Sequence, residues 1–292
     1  MSSLIIKVIA VVAFLILAPI VGCLLSGIDR KLSAGLQGRV GPKLLQPYYD
    51  VRKLMEKEDV TVNGAQDLYV LLYLVFIILA GVIFFAGGNF LLCVFILTLG
   101  SLFLIVAAYA SRSPYAELGA QREIVQVMSY EPMVLLVAIG LFMATGTFNV
   151  DEAICAEVPA IRYLPLIFIG FIYVLTIKLR KSPFDISMSH HAHQELVRGV
   201  TTEFSGKTLA MVEISHWYEN VMFLGWVAMF IIWGGLNPLA IVIAVVVCLV
   251  VYLLEIFIDN NFARVKWQAM FKSSWAVALV LGGINIIYLL FI

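Results

Sequence analysis

Eight apolar runs, each close to the length that crosses a bilayer, decide what this chain can fold into. They cover approximately residues 4–25, 68–87, 90–110, 130–148, 163–179, 217–234, 238–258 and 274–292. A helix of roughly 20 apolar residues spans the hydrocarbon core, and backbone groups there must be satisfied within the segment. Hydrophobic residues make up 62% of the chain and charged ones 13%, with a mean hydropathy of +1.01. A soluble domain carries about 25% charged residues, so that class is excluded. The expected fold is an all-α integral membrane protein, one membrane domain over residues 1–292, with about eight transmembrane helices.

Charge placement orients the bundle. All but Lys7 and Arg162 of the 19 lysines and arginines fall in the connections after spans one, three, five and seven. The positive-inside rule then makes those four long loops cytoplasmic and puts both termini outside. The first apolar run is too long for the apolar core of a signal peptide, roughly 7–15 residues, and reads as a retained span. Gly87-Gly88-Asn89 and Gly235-Leu236-Asn237 read as tight turns between antiparallel helices. No internal repeat of the transporter kind is present. Net charge is zero, so no basic field points to nucleic acid.

The chain's chemistry is concentrated in one loop. Residues 178–219 read KLRKSPFDISMSHHAHQELVRGVTTEFSGKTLAMVEISHWYE and contain all four histidines. So much titratable chemistry between two spans points to protons, ions or a docked partner. Cys23, Cys93, Cys155 and Cys248 are widely spaced and show no zinc or iron–sulfur pattern, so they read as small buried hydrophobes. The first loop predicts a helix starting at Pro47. Leu44, Tyr48, Val51 and Met55 would share one face, with Asp50, Lys53 and Lys57 opposite. Such a helix suits the headgroup plane or the underside of a cytoplasmic partner. Acidic Glu56, Glu58 and Asp59 favour the partner.

Three loop segments together resemble one family. GLQGRVGPKLLQPYYDVRKLMEKE, AYASRSPYAELGAQREIVQVMSYE, and SPFDI with QELVRG and TTEFSG are similar, in order, to the loops of respiratory complex I subunit 1, also called the H subunit. One departure stands out. Where complex I continues from Pro-Phe-Asp into a short acidic run, this chain reads Ser187-Met188-Ser189-His190-His191-Ala192-His193-Gln194. That change, with ISHWYE, looks more like the related membrane-bound nickel–iron hydrogenases of the energy-converting and carbon-monoxide-induced types.

The resemblance implies a membrane-anchoring and coupling subunit without a cofactor of its own. Its expected partners are hydrogenase large and small subunits, which carry the nickel–iron centre and 4Fe-4S clusters. A ferredoxin-like cluster subunit, antiporter-like membrane subunits and the lipid bilayer complete them. The implied location is the plasma (inner) membrane of a prokaryote. It further implies docking residues Arg39, Gly41, Pro42, Gln46, Pro47, Asp50 and Lys53, with His190, His191 and His193. The rival readings are a quinone-binding subunit of complex I and a stand-alone secondary transporter.

Candidate proton- or ion-path residues follow from chemistry and position. Glu131 is expected at the mouth of the fourth span, where a helix N-terminus stabilises a carboxylate. A charge kept at bilayer depth costs roughly 2.5–3.5 kcal/mol, which counts for less near the mouth, and it is the resemblance that implies a role for it. Glu117 and Glu123 would join it if the second loop folds back helically; Arg112 and Arg122 read as orientation signals. Glu213 and Glu219 lie three residues either side of His216 on one helical face, where an imidazole exchanges protons near neutral pH. Asp185, Glu195 and Glu203 complete the set through the loop motifs. The three clustered histidines lack further ligands for a closed metal site and read as proton carriers or docking contacts. Glu255 reads as an interfacial carboxylate paired with Arg264 or Lys266.

Overall fold

The computed structural model describes residues 2–58, 60, 63–188, 197–235 and 237–291, with side chains from residue 5 onward. Among the described residues the regular structure is all helical, with no strand. Helix α1 (Ser2–Leu36) runs well beyond the expected end of the first span. Its polar last turns are anchored by Ser26 on the Gly22 carbonyl, 2.9 Å, and by Arg30 on Asp50, 2.6 Å.

The first-loop helix α2 (Gln46–Glu56) starts with proline in its first turn, as expected. Its packing face differs from the expected one. Val51, with Leu54 beside it, packs against Cys23, Ala210 and Trp217, whereas Leu44, Tyr48 and Met55 are exposed. The helix is rotated toward Leu54 because its neighbours are two helices of the bundle rather than a flat surface.

Helices α3 (Gly64–Phe85) and α4 (Phe90–Ala110) form the expected hairpin, with Asn63 and Asn89 capping their N-termini through side-chain oxygens. Helix α5 (Pro114–Thr145) starts at Pro114 and absorbs most of the second polar loop into one continuous helix. Glu131 is therefore in mid-helix, not at an N-terminus, and the dipole argument for it fails.

Short α6 (Val150–Cys155) precedes α7 (Pro165–Lys178), which is apolar but only 14 residues long. Helix α8 (Gly206–Ile231) carries His216, Glu219 and Asn220 within its length, and α9 (Pro238–Asn261) starts on an asparagine cap. The last span is α10 (Trp267–Val277), a π-helical turn (Ala278–Gly282) and α11 (Gly283–Leu290). Six helices among the described residues are long and apolar enough to cross a membrane: α1, α3, α4, α5, α9 and the α10–α11 unit.

Two helices organise the packing. Helix α8 touches α1, α2, α3 and α9, while α5 touches α4, α7 and α10. Fully buried Trp226 of α8 makes ring contacts with Phe84, Phe90, Phe171 and Phe223, which fixes the middle of the bundle. Asn285 closes the N-terminus of α7 from another helix. Its side-chain oxygen accepts from the Leu166 and Ile167 N–H groups at 2.9 and 3.2 Å, and its amide donates to the Tyr163 carbonyl at 2.8 Å. Orphan donors at a helix start need such a partner, and Leu164 cannot supply one.

The third loop is held against α5 by two glycines. A Cβ on Gly119 would strike the backbone of Gly199 and Val200, and one on Gly199 (φ +59°) would strike the Ser187 carbonyl. Only glycine permits that approach.

Candidate functional site

The polar heart of the molecule lies where α7 stops. Lys178 is its last residue, and Arg180 follows in a left-handed backbone conformation (φ 51°) that turns its side chain back among α5 and α8. This conformation costs a non-glycine residue roughly 1–2 kcal/mol, so the surroundings must hold it. They do so through charge. Arg180 donates to Glu123 of α5 at 2.8 Å, meets His216 Nε2 of α8 at 2.7 Å and lies 3.7 Å from Glu219. A guanidinium only donates, so His216 faces it with an accepting Nε2, the neutral tautomer carrying its proton on Nδ1.

All three ionisable partners in the Glu123–Arg180–Glu219 group are buried, with side chains 4%, 9% and 6% exposed. Burial opposes the Arg180 charge, but the Glu123 and Glu219 carboxylates outweigh it and hold the guanidinium well above its ordinary range. Beside this group the Lys178 ammonium stands 3.6 Å from the centroid of the Tyr130 ring and 5.5 Å from that of Phe223. Aromatic faces attract a desolvated cation in that position.

The segment after Arg180 is clamped from several sides. Lys181 reaches Asp29 of α1 at 2.9 Å, and Asp259 of α9 accepts from the Ser182 N–H at 2.7 Å. Gln126 of α5 donates to the Phe184 carbonyl at 2.7 Å, and the Val265 N–H to the Pro183 carbonyl at 3.0 Å. Arg264 binds the Asp185 carboxylate at 2.9 Å and also donates to its backbone carbonyl. The SPFDI motif is thus a junction of α1, α5, α9 and the segment beyond α9. The expected pairing of Glu255 with Arg264 or Lys266 is not formed: Arg264 turns away from α9 to Asp185.

A cavity of about 890 Å³ opens beside this junction. Asp29, Asp185, Glu213, Glu219 and Asp259 line it together with Arg30, Lys178, Arg180, Lys181 and Arg198. It brings Asp185, Glu213, His216 and Glu219 together as a group, with Glu123 one residue behind the wall on Arg180.

The remaining candidates stand apart. Glu117 is exposed at the start of α5, and Glu131 is half-buried within electrostatic reach of Lys178. Glu203 lies before α8, its carbonyl accepting from Gln66 at 3.4 Å. Of the docking candidates, Arg39 and Pro42 line the cavity, Gly41 packs against Lys31, and Pro47 is buried in the first turn of α2. Gln46 and Arg30 both hold Asp50, and Lys53 is exposed. Glu195, His190, His191 and His193 lie outside the described residues.

Lys178, Arg180, Lys181, Asp29 and Asp259 are site residues that sequence reasoning misses. The three basic ones are visible in the sequence as a cluster at the end of an apolar run. In that setting they speak first for membrane orientation, which conceals their part in the site.

Comparison with known proteins gives consistent results along the whole chain. The NADH dehydrogenase family model matches residues 6–290. The H subunit of the NADH-quinone oxidoreductase of Geobacillus kaustophilus (strain HTA426) is 30% identical, covering 94% of this chain and 90% of that protein. The protein of the same name from Bacillus thuringiensis (strain Al Hakam) is 30% identical with the same two coverages, 94% and 90%. Among solved structures, a chain of the membrane-bound sulfane sulfur reductase, an archaeal respiratory membrane complex, superposes with a TM-score of 0.85. The two are 27% identical over 97% of this chain and 99% of that one.

Proposed function

This chain belongs to the NADH dehydrogenase family as a membrane component of a respiratory complex, and from that premise we propose that it is the anchoring and coupling subunit of an energy-converting nickel–iron hydrogenase. In this reading the loops after spans one, three, five and seven face the cytoplasm and carry the soluble subunits. Those subunits contain the nickel–iron centre and the 4Fe-4S clusters and take electrons from ferredoxin. Antiporter-like subunits continue the membrane arm.

The observation that carries the reading is the charged wall of the cavity. A quinone is mostly an apolar tail, and sites for such ligands are lined chiefly by apolar and aromatic side chains. Here carboxylates and cations from α1, α8, α9 and the third loop line the space beside apolar side chains, several of them paired with one another. Such a wall suits water and moving protons better than a prenyl chain. The likeness to a sulfane sulfur reductase chain supports an acceptor other than quinone, because that chain belongs to a respiratory membrane complex named for reducing sulfane sulfur.

Coupling would run through Arg180. While His216 is neutral, its Nε2 accepts from Arg180, which also holds Glu123. A proton arriving on Nε2 removes that acceptor and sets two cations against each other. The guanidinium is then drawn toward Glu219, only 3.7 Å away. Each protonation at the cavity wall thereby changes the field on Glu123 and Lys178 deeper inside. Electron transfer in the docked subunits would supply or withdraw that proton.

A second reading keeps quinone as the acceptor, and the relatives' name, which is that of an NADH-quinone oxidoreductase, favours it. The test is to isolate the complex in mild detergent, identify its subunits and assay hydrogen evolution from reduced ferredoxin in quinone-depleted membranes. Co-purification of a nickel–iron subunit with quinone-independent turnover supports the proposal. Quinone-dependent activity supports the second reading, and a sulfur-reducing module without hydrogen evolution would replace the hydrogenase assignment.

A further inference from the structure

Glu255 is the one carboxyl of the described residues that is fully buried with both oxygens lacking a hydrogen-bond partner. It lies on α9, on the stripe that also holds Tyr252 one turn before it and Asp259 one turn after. That stripe faces α1: Tyr252 donates to the Leu25 carbonyl at 3.1 Å, and Leu25, Tyr252 and Ile256 form one buried apolar cluster. Helix α8 adds only Leu224 to that cluster.

The charged groups around Glu255 do not balance. Lys181 and Asp259 are within its electrostatic reach, and Lys181 also holds Asp29 at 2.9 Å while lying 5.1 Å from the Tyr252 ring centroid. Arg30, the next cation along α1, is engaged by Asp50. Three carboxyls, Asp29, Glu255 and Asp259, therefore share one ammonium. Asp29 and Asp259 reach the cavity, but Glu255 is fully buried, and an interior position does not keep an unpaired ion, so Glu255 holds a proton or has a further positive charge beside it. Asp29 accepts from Lys181, and Asp259 accepts from the Ser182 N–H at 2.7 Å. Each of those two carboxyls therefore has a donor. Glu255 has none.

We propose that Glu255 is a proton-holding site on the α1–α9 side of the cavity, separate from the Glu123–Arg180–Glu219 group, and that Asp259 and Lys181 connect it to the cavity water. Asp29, Lys181, Tyr252 and Asp259 all line the cavity, whereas Glu255 sits one layer behind them. A proton is favoured over a metal cation because, among the described residues, no group of three or more carboxylates, histidines or cysteines is placed to hold a metal. A bare cation would also need several oxygens at once. The inference concerns this chain's own side chains and holds whichever electron-transfer module docks.

The experiment is infrared spectroscopy on the intact complex in lipid, comparing the wild type with Glu255→Gln. The wild type should show a carboxylic-acid carbonyl band, shifted in deuterium oxide, that the variant loses entirely. Sodium titration should leave the band unchanged. If Glu255→Gln fails to assemble, wild-type membranes are treated with dicyclohexylcarbodiimide, which attacks protonated carboxyls in apolar sites. Peptide mass spectrometry should then find Glu255 modified. Identical carbonyl spectra in the two proteins overturn the proposal, as does loss of the band on adding sodium. In the fallback arm, an unmodified Glu255 overturns it. None of these readings depends on hydrogenase activity, so failure here is distinguishable from failure of the functional assignment.

Discussion

Arg180 holds Glu123 at 2.8 Å across 57 residues of sequence, from a backbone turned to φ 51°. The turn and the ion pair need each other. Without the turn the guanidinium would follow the axis of α7 away from α5, and without Glu123 only Glu219, at 3.7 Å, would offset the strained conformation and the buried charge. Removing one partner of a buried pair costs about 3–5 kcal/mol, because the other ion remains desolvated. Arg180→Met should therefore lower the amount of assembled complex sharply. Glu123→Leu combined with Arg180→Met should recover part of it, since Glu123 no longer remains as a second unpaired carboxylate beside Glu219. Complex yield and thermal stability in detergent measure both; a double variant as weak as the single one would show that the pair is not the cause.

Glu219 and His216 share the same guanidinium but differ in exposure: Glu219 is buried, whereas His216 is half-buried at the cavity. Glu219→Gln retains shape and removes the charge nearest the second Arg180 nitrogen. We expect assembly near wild-type levels with ion movement in reconstituted vesicles reduced by at least about tenfold, a loss of the size seen when one proton-transfer group is removed. His216→Gln keeps an acceptor for Arg180 but cannot carry a proton, so it should impair coupling while sparing stability. Normal ion movement in both variants would remove this group from the coupling path.

What is legible in the sequence is what depends on local composition. The apolar runs, the Asn-capped turns and the proline-led α2 follow from hydropathy and backbone chemistry within a few residues. Pairing across space does not. Arg264 follows Glu255 closely in sequence, and proximity alone suggests a link. The extended chain after α9 instead carries Arg264 to Asp185, and the Val265 N–H fixes the detour on the Pro183 carbonyl. Likewise Glu131 reads as a helix start only if the second loop is polar throughout. Ala116, Gly119 and Ala120 are buried inside α5, and small residues there let the third loop lie against a continuing helix. Arg180 is hidden for a further reason: its role depends on one backbone dihedral that no residue type announces.

The cap on α7 gives a stability test away from the charged groups. Asn285 supplies the acceptor for two N–H groups at a buried helix start. Asn285→Ala should destabilise the protein by about 1–2 kcal/mol, the range for losing a capping side chain. Asn285→Asp keeps the acceptor but loses the donor to Tyr163, so it should fall between them. Thermal unfolding in one detergent ranks the three. Equal stability of all three would mean that α7 is held by packing alone.

Glu131 separates a local from a remote influence on the polar group. It is half-buried in mid-α5, touches neither Arg180 nor the cavity, and bears on the group only through the field at Lys178. Such an effect is weaker than a direct contact because interaction energy falls with distance and with the surrounding dielectric. Glu131→Gln should accordingly leave assembly intact and reduce ion movement less than Glu219→Gln does. Raising the ionic strength should not reproduce its effect, since salt screens exposed charges much more than partly buried ones. Vesicle assays of the two variants side by side decide it. If Glu131→Gln is the more severe, the path runs along α5 itself rather than through Arg180; if it is indistinguishable from wild type, Glu131 serves only the electrostatics of its own helix.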